Sequence, residues 1–278
     1  MSRKDYLYRV FHYLRHRLSA RNSGGGGIHS PYLFEWVRMI MRDKNSYYVW
    51  RDIECIREQM LQNNSELEYI DWGAGAHVKG EKSVRRVCDL AASSLEPAKY
   101  GQLLFRLVNW LGHEKRRLYG KGLNIIELGT SLGITTAYLA SADSRDNVTT
   151  FEGCPAVVAQ AQENWKALGL RNIHCVEGNI DDTIFTYART CEKMDVAFID
   201  ANHTYDATCR YFEALVGNMH AKSVLVVDDI YYNSEMHRAW QWICQRPEVT
   251  STMDLYKMGL VFFDPCYWRR NYTLNVYK

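Results

Sequence analysis

No stretch of this 278-residue chain approaches the roughly 20 apolar residues that a helix needs to cross a bilayer. The N-terminus is basic, but no unbroken apolar segment follows it, so the pattern of a secretory leader is missing as well. The eight cysteines, at positions 55, 88, 154, 175, 191, 209, 244 and 266, include no Cys-x-x-Cys pair and no zinc-finger spacing. That scatter reads as reduced core thiols in a cytoplasmic protein. An excess of one charge is absent too: 34 Lys and Arg against 32 Asp and Glu leave +2, which gives no global pull towards nucleic acid. Low-complexity sequence is confined to Gly24–Gly27, and there is no internal repeat. What remains is an ordinary soluble composition, long enough for one large domain or a domain with a cap.

The most informative stretch runs from Leu123 to Ala140, LNIIELGTSLGITTAYLA. A short apolar run precedes Gly129, a loop follows to Gly133, and an apolar-periodic segment comes after it. This is the strand, glycine turn and helix order that brings a ligand close to a helix N-terminus. A dinucleotide fingerprint needs glycine at the position held here by Ser131, so the pyrophosphate reading is weak. Glu127, at the strand end, repels an anion and suits an ammonium group. S-adenosylmethionine, a nucleoside with a sulfonium, an ammonium and no phosphate, fits both features. A second strand over Val148–Phe151 ends at Glu152, 23 residues after Gly129. An acid about 20 residues on is placed to accept hydrogen bonds from ribose hydroxyls.

Glu127-Leu-Gly-Thr-Ser-Leu-Gly-Ile-Thr-Thr-Ala, followed by Thr150-Phe-Glu-Gly, resembles the class I S-adenosylmethionine-dependent methyltransferases, in particular the catechol and caffeoyl-CoA O-methyltransferase branch. The resemblance covers roughly residues 100–278. It implies cofactor contacts at Glu127, Gly129, Thr130, Ser131, Gly133, Glu152, Gly153 and Asp200. It also places Gly178 and Asn179, at the end of a third strand, by the adenine edge.

From Glu152 onward helical and strand patterns alternate: helices over 155–168, 181–190, 205–217 and 234–245, strands over 173–176, 195–200, 223–227, 258–263 and 271–277. Such alternation predicts an α/β, Rossmann-like, doubly wound sheet, mostly parallel, with helices on both faces. The family resemblance implies that the last two strands form a C-terminal antiparallel hairpin. The domain expectation is an N-terminal helical cap region over residues 1–112 and a Rossmann-like methyltransferase domain over 113–278.

Ligands of open α/β sheets bind beyond the carboxyl ends of the strands. Strand four ends in Asp200-Ala-Asn-His203, and strand five in Asp228-Asp229. Three carboxylates at one edge repel unless their pKa values rise or a cation joins them, and an all-oxygen set favours Mg²⁺, Ca²⁺ or Mn²⁺. The metal-dependent O-methyltransferases carry an Asp after strand four and an Asp-Asn pair after strand five, which gives Asp200, Asp228 and Asp229 as metal ligands by resemblance. Asp229 replaces the amide, and His203 stands where catechol-type enzymes have lysine. The alternative is that Asp228 and Asp229 cap the next helix or bind the cofactor and acceptor without an ion. His203, with an unperturbed pKa near 6.5, suits a general base, and Asp200 can orient it.

In the N-terminal region, Leu7, Val10, Phe11, Leu14 and Leu18 form one helical stripe, with Arg3, Lys4, Arg9, Arg15, Arg17 and Arg21 around it. A cap helix with a solvated basic face is the economical reading; a surface for an anionic substrate, membrane or nucleic acid is the other. Ser30-Pro31 starts a further helix. Helical patterns continue over 32–63, 83–95 and 100–111. Asp71-Trp-Gly-Ala-Gly-Ala-His77 imitates a cofactor loop, but a polar stretch and no apolar helix follows it, so it reads as a loop, with His77 a polar contributor over the substrate.

These readings converge on an S-adenosylmethionine-dependent methyltransferase acting on a small-molecule hydroxyl. An NAD-type oxidoreductase and a catalytically inactive cofactor-binding or interaction module are the alternatives. Strand four is not followed by the Asp/Asn-Pro-Pro-aromatic loop typical of base N-methyltransferases, and neither strand four nor strand five is followed by a nucleophilic cysteine. Both absences argue against nucleic-acid bases as acceptors.

Overall fold

The structure, a computed structural model, describes residues 3–21, 23–72 and 80–276. Ten strands form a two-stranded sheet and an eight-stranded sheet of order β10-β8-β9-β7-β6-β3-β4-β5, flanked by helices. The chain divides into two compact units, residues 44–187 and residues 1–43 with 188–278.

The first unit opens with α3 (Tyr48–Gln62), the hairpin β1 (Glu66–Asp71) and β2 (Glu81–Arg86), then α4 (Val87–Ser94) and α5 (Ala98–Tyr119). Three β-α steps follow: β3 (Asn124–Leu128), α6 (Ile134–Ala140), β4 (Asn147–Glu152), α7 (Pro155–Ala167), β5 (Ile173–Glu177) and α8 (Ile180–Thr190), whose last three residues are counted with the other unit. β3, β4 and β5 pair in parallel. Trp50, Ile53, Phe105, Leu132, Ile134, Tyr138, Cys154 and Trp165 make one buried cluster. Two of these residues, Leu132 and Ile134, flank Gly133, so the glycine loop is rooted in the core. Gly133 has φ +74°, and a Cβ there would come within 2.5 Å of Trp165 Nε1. Glycine is therefore required both by the left-handed backbone and by the close approach.

In the second unit, α1 (Arg3–Ser19) and α2 (Pro31–Trp36), continued by a π-helical turn over Val37–Met41, precede the last strands and helices. Ser30 caps α2 by accepting the Leu33 N–H, as its place before Pro31 predicts. The C-terminal part runs β6 (Met194–Ile199), α9 (Tyr205–Val216), β7 (Met219–Asp228), α10 (Ser234–Gln245), β8 (Ser251–Asp254), β9 (Met258–Phe262) and β10 (Arg270–Thr273). Thr204 and Asn233 cap α9 and α10 through their side chains. β6 pairs with β7 in parallel, and β9 lies antiparallel to both β7 and β8.

Two details differ from the sequence expectation. The antiparallel hairpin is β8–β9, closed by a turn at Tyr256 (φ +72°), while β10 adds in parallel to β8. The segment read as a helix from residue 83 begins as β2, whose six residues are all exposed. Residues 112 and 113, the expected domain division, fall inside α5. In that helix Arg116 is buried against Asp146, to which its guanidinium donates, and it also reaches Asn109 O. Asp146 in turn accepts the Leu123 N–H at 2.8 Å, which ties α5 to the start of β3.

Arg116→Ala leaves the fully buried Asp146 carboxylate without its cation. Breaking one side of a buried ion pair costs about 3–5 kcal/mol. Urea unfolding of this variant should show a loss of that order, and a midpoint equal to the wild type would contradict the role assigned to the pair.

Candidate active site

Among the described residues, five other than glycine have positive φ: Ser131 (+48°), Asn202 (+64°), His203 (+40°), Asp229 (+52°) and Tyr256 (+72°). Left-handed backbone at non-glycine positions costs on the order of 1–3 kcal/mol and concentrates at functional sites. Four of the five lie in the segments after β3, β6 and β7, and the fifth lies one residue from Lys257, which bonds the end of β7.

In the unit of residues 44–187, the loop after β3 is organised by Glu152 at the end of β4. Glu152 Oε2 accepts the Ser131 N–H at 2.9 Å, and Oε1 accepts the Cys154 N–H at 3.0 Å. Burial pushes the Glu152 carboxyl up, while the N–H groups of Cys154, Ser131 and Gly153 pull it back. Ser131 Oγ also lies 2.8 Å from Ser94 Oγ. The Gly178 N–H donates to Glu152 O at 2.9 Å, which joins the end of β5 to the same residue. Gly129 (φ +99°) and Gly133 give the loop its left-handed turns.

Glu127 does not stand open at the rim as its place in the sequence predicts. It is completely buried, and its Oε2 accepts hydroxyls from Thr136 (2.5 Å) and Thr150 (2.7 Å). The Thr130 and Thr150 hydroxyls lie 2.6 Å apart, so Thr130 turns its side chain into the same buried network. Asn179 acts on its own chain: Oδ1 accepts the Asp181 N–H, and its carbonyl accepts from Thr183 at the start of α8.

Trp72 was not foreseen from the sequence. Its Nε1 donates to Gly153 O at 3.0 Å, and a Cβ on Gly153 would sit 2.3 Å from the indole. The strand β1 also meets the start of α7, where the Ile70 N–H points at Cys154 Sγ. The Asp71–His77 segment therefore contributes its tryptophan beside the Glu152 loop; His77 lies outside the described residues.

In the other unit, the carboxyl ends of β6 and β7 carry Asp200, His203, Asp228 and Asp229. His203 Nε2 is 3.5 Å from Asp200 Oδ1, and its buried Nδ1 has no hydrogen-bond partner. Burial holds the imidazole below its ordinary range, against the pull of Asp229, and Lys257 adds to the lowering. The Tyr232 ring lies beside it at 5.5 Å between centroids.

Between Asp228 and Asp229 stands Lys257, a residue that the motif reading passed over. Its Nζ is 2.6 Å from Asp228 Oδ2 and 2.8 Å from Asp229 Oδ1. Asp228 is buried, which pushes its carboxyl well up; Lys257 opposes that, and Asp229 and Asp200 add to it. The arrangement does not fit the divalent ion expected at Asp200, Asp228 and Asp229. An ammonium already supplies the positive charge between two of the three carboxylates. Among the described residues, no group of three or more His, Cys, Asp or Glu is arranged to hold a metal. Lys257 sits 28 residues from Asp229, in the β8–β9 turn, and no spacing rule connects the two.

Lys257→Met removes this counter-charge and should cost about 3–5 kcal/mol at neutral pH. In the variant the buried Asp228 carboxyl loses the cation that opposes its upward shift, so the deficit should shrink as the pH is lowered and that carboxyl takes up a proton. Thermal unfolding at neutral and mildly acidic pH measures this, with EDTA expected to leave the wild-type midpoint unchanged. A variant of wild-type stability, or a wild type destabilised by EDTA, would contradict the assignment.

Residues 126–230 match a family described as a methyltransferase domain. Among solved structures, the chain is similar to an O-methyltransferase from Bacillus cereus in complex with SAH, at 17% identity and a TM-score of 0.54, over 82% of this chain and 96% of that one. The O-methyltransferase TomG from Streptomyces achromogenes, in complex with SAM, gives 20% identity and a TM-score of 0.51, over 61% and 82% of the two chains. The SAH-bound methyltransferase PaMTH1 from Podospora anserina gives 15% and 0.50, over 62% and 81%. No curated protein matches the sequence. At these identities the solved structures establish the fold. Together with the family match, the strand order and the glycine loop held by Glu152, they identify residues 126–230 as a methyltransferase domain of the class I, Rossmann-like type.

Proposed function

We propose that the protein is an S-adenosylmethionine-dependent methyltransferase whose acceptor is a hydroxyl of a small molecule. The observation that carries the reading is the acid at the end of β4 fixing the left-handed Ser131 in the loop after β3. The residues present fit the cofactor. A carboxylate has about four acceptor sites, so Glu152 retains capacity for ribose hydroxyls beside the N–H groups it holds. Gly129 and Gly133 keep side chains out of the loop, and Trp72 beside Gly153 offers an aromatic face next to the same carboxylate. The bound cofactor supplies an electrophilic methyl group on sulfonium.

What this chain must add is alignment and proton removal. His203 is the residue we assign to the proton. Asp200 beside Nε2 orients the ring. The lowered imidazole pKa keeps the ring neutral at physiological pH, the form that accepts a proton. Lys257, between Asp228 and Asp229, places positive charge where an acceptor losing its proton develops negative charge. Acceptor activation is thus assigned to side chains without a divalent ion. Hydroxyl acceptors suit a neutral imidazole base, and the O-methyltransferases of the same fold support the reading.

Calorimetric titration of S-adenosylhomocysteine tests the cofactor assignment. The wild type should bind it, and Glu152→Ala should weaken binding; no heat with the wild type would remove the reading. His203→Ala should lower turnover by about 10²–10⁴-fold and leave that affinity unchanged. In the wild type, the acid limb of kcat/KM should lie below pH 6.5, because burial disfavours the imidazolium. Near-normal turnover in His203→Ala would exclude it as the base.

A further inference from the structure

The orientation of α1 is the reverse of a cap helix. The stripe it turns outward is apolar: Leu7 is 59% exposed, Phe11 63%, Leu14 56% and Leu18 86%. The stripe it turns inward is polar and is held by specific bonds. Tyr8 Oη lies 2.7 Å from His237 Nδ1, His16 Nε2 3.1 Å from Asp254 Oδ1, and Tyr256 Oη donates to Arg9 O at 2.7 Å. His12 packs between Tyr8, Tyr231 and His237. These contacts fix the rotation of the helix about its axis, so exposure of the leucine and phenylalanine stripe is built in and does not come from a loose end.

We propose that α1 lies in the plane of an anionic membrane surface, with Leu7, Phe11, Leu14 and Leu18 inserted among the lipid chains. The stripe repeats at the helical period over about three turns, a length of about 17 Å. Its borders are those of an interfacial helix. Arg15 and Arg17 are exposed on either side of it, where their charges can meet headgroups. Residues 3–21 carry six arginines and lysines against one acid, Asp5. That charge selects the occupant. A second copy of the chain would bring two arginine-flanked stripes together, whereas anionic headgroups complement both borders at once. No described helix is long and apolar enough to cross a membrane, so the contact is one of lying on the surface. This inference does not depend on the methyltransferase reading.

Vesicle flotation of the full chain provides the test, comparing phosphatidylcholine alone with phosphatidylcholine containing phosphatidylserine. The protein should partition onto the anionic vesicles, weakly onto the neutral ones, and less as salt is raised. Phe11→Glu with Leu14→Glu should abolish partitioning, and Arg15→Glu with Arg17→Glu should lower it by roughly fivefold per charge or more. These side chains are exposed, so the variants should melt with the wild type. Absence of partitioning onto anionic vesicles would overturn the proposal, as would partitioning that survives Phe11→Glu with Leu14→Glu. A dimer in sedimentation velocity that Phe11→Glu dissolves would reassign the stripe to a second copy, and salt-sensitive binding to RNA in place of vesicles would reassign its arginines.

Discussion

A carboxylate that holds a strained loop from the neighbouring strand is the constraint on which the rest of the cofactor side depends. Without Glu152, the Ser131 N–H at φ +48° has no acceptor, and neither does Cys154 at the entrance to α7. Leu132, Ile134, Trp165 and Cys154 then close the core beneath the loop. One residue therefore links backbone strain, packing and the proposed ribose contact. Its partial burial makes the carboxylate costly when ionised, and the N–H donors offset that cost; the same electrostatics suit it to accept further hydroxyl hydrogens.

The other unit solves a charge problem by different means. Two adjacent aspartates at the end of β7 approach a third after β6, and a lysine from the β8–β9 turn stands between the adjacent pair. Lysine differs from a divalent ion in what it permits. It neutralises carboxylates as a single charge and donates hydrogen bonds, but it cannot chelate two oxygens of a diol. Under the proposed roles of Lys257 and His203, an acceptor needs no vicinal pair of hydroxyls, unlike the catechol-type pattern that the sequence resembles.

Much of this was legible in the sequence where local rules govern. The change of period at Gly129–Gly133, the acid 23 residues on and the Ser30-Pro31 start each depend on near neighbours, and the fold shows them as read. Long-range contacts were not legible. Lys257 meets Asp229 only because β8 and β9 fold back beside β7, and Trp72 meets Gly153 across 81 positions. Glu127 was placed correctly on its strand, yet its threonine partners at 136 and 150 were invisible to a motif, so its burial was missed. For α1, periodicity shows that an apolar stripe exists but not which way it faces. The hairpin β1–β2 escaped because β2 is exposed throughout and shows no alternation to read.

The loop after β3 and the acid after β4 are proposed to form a nucleoside-cofactor site. Hydrogen exchange of the peptides covering residues 127–133 and 150–154, with and without S-adenosylhomocysteine, tests it most directly. The account predicts marked slowing at both peptides, lost in Glu152→Ala. Unchanged exchange at both under saturating ligand would contradict it.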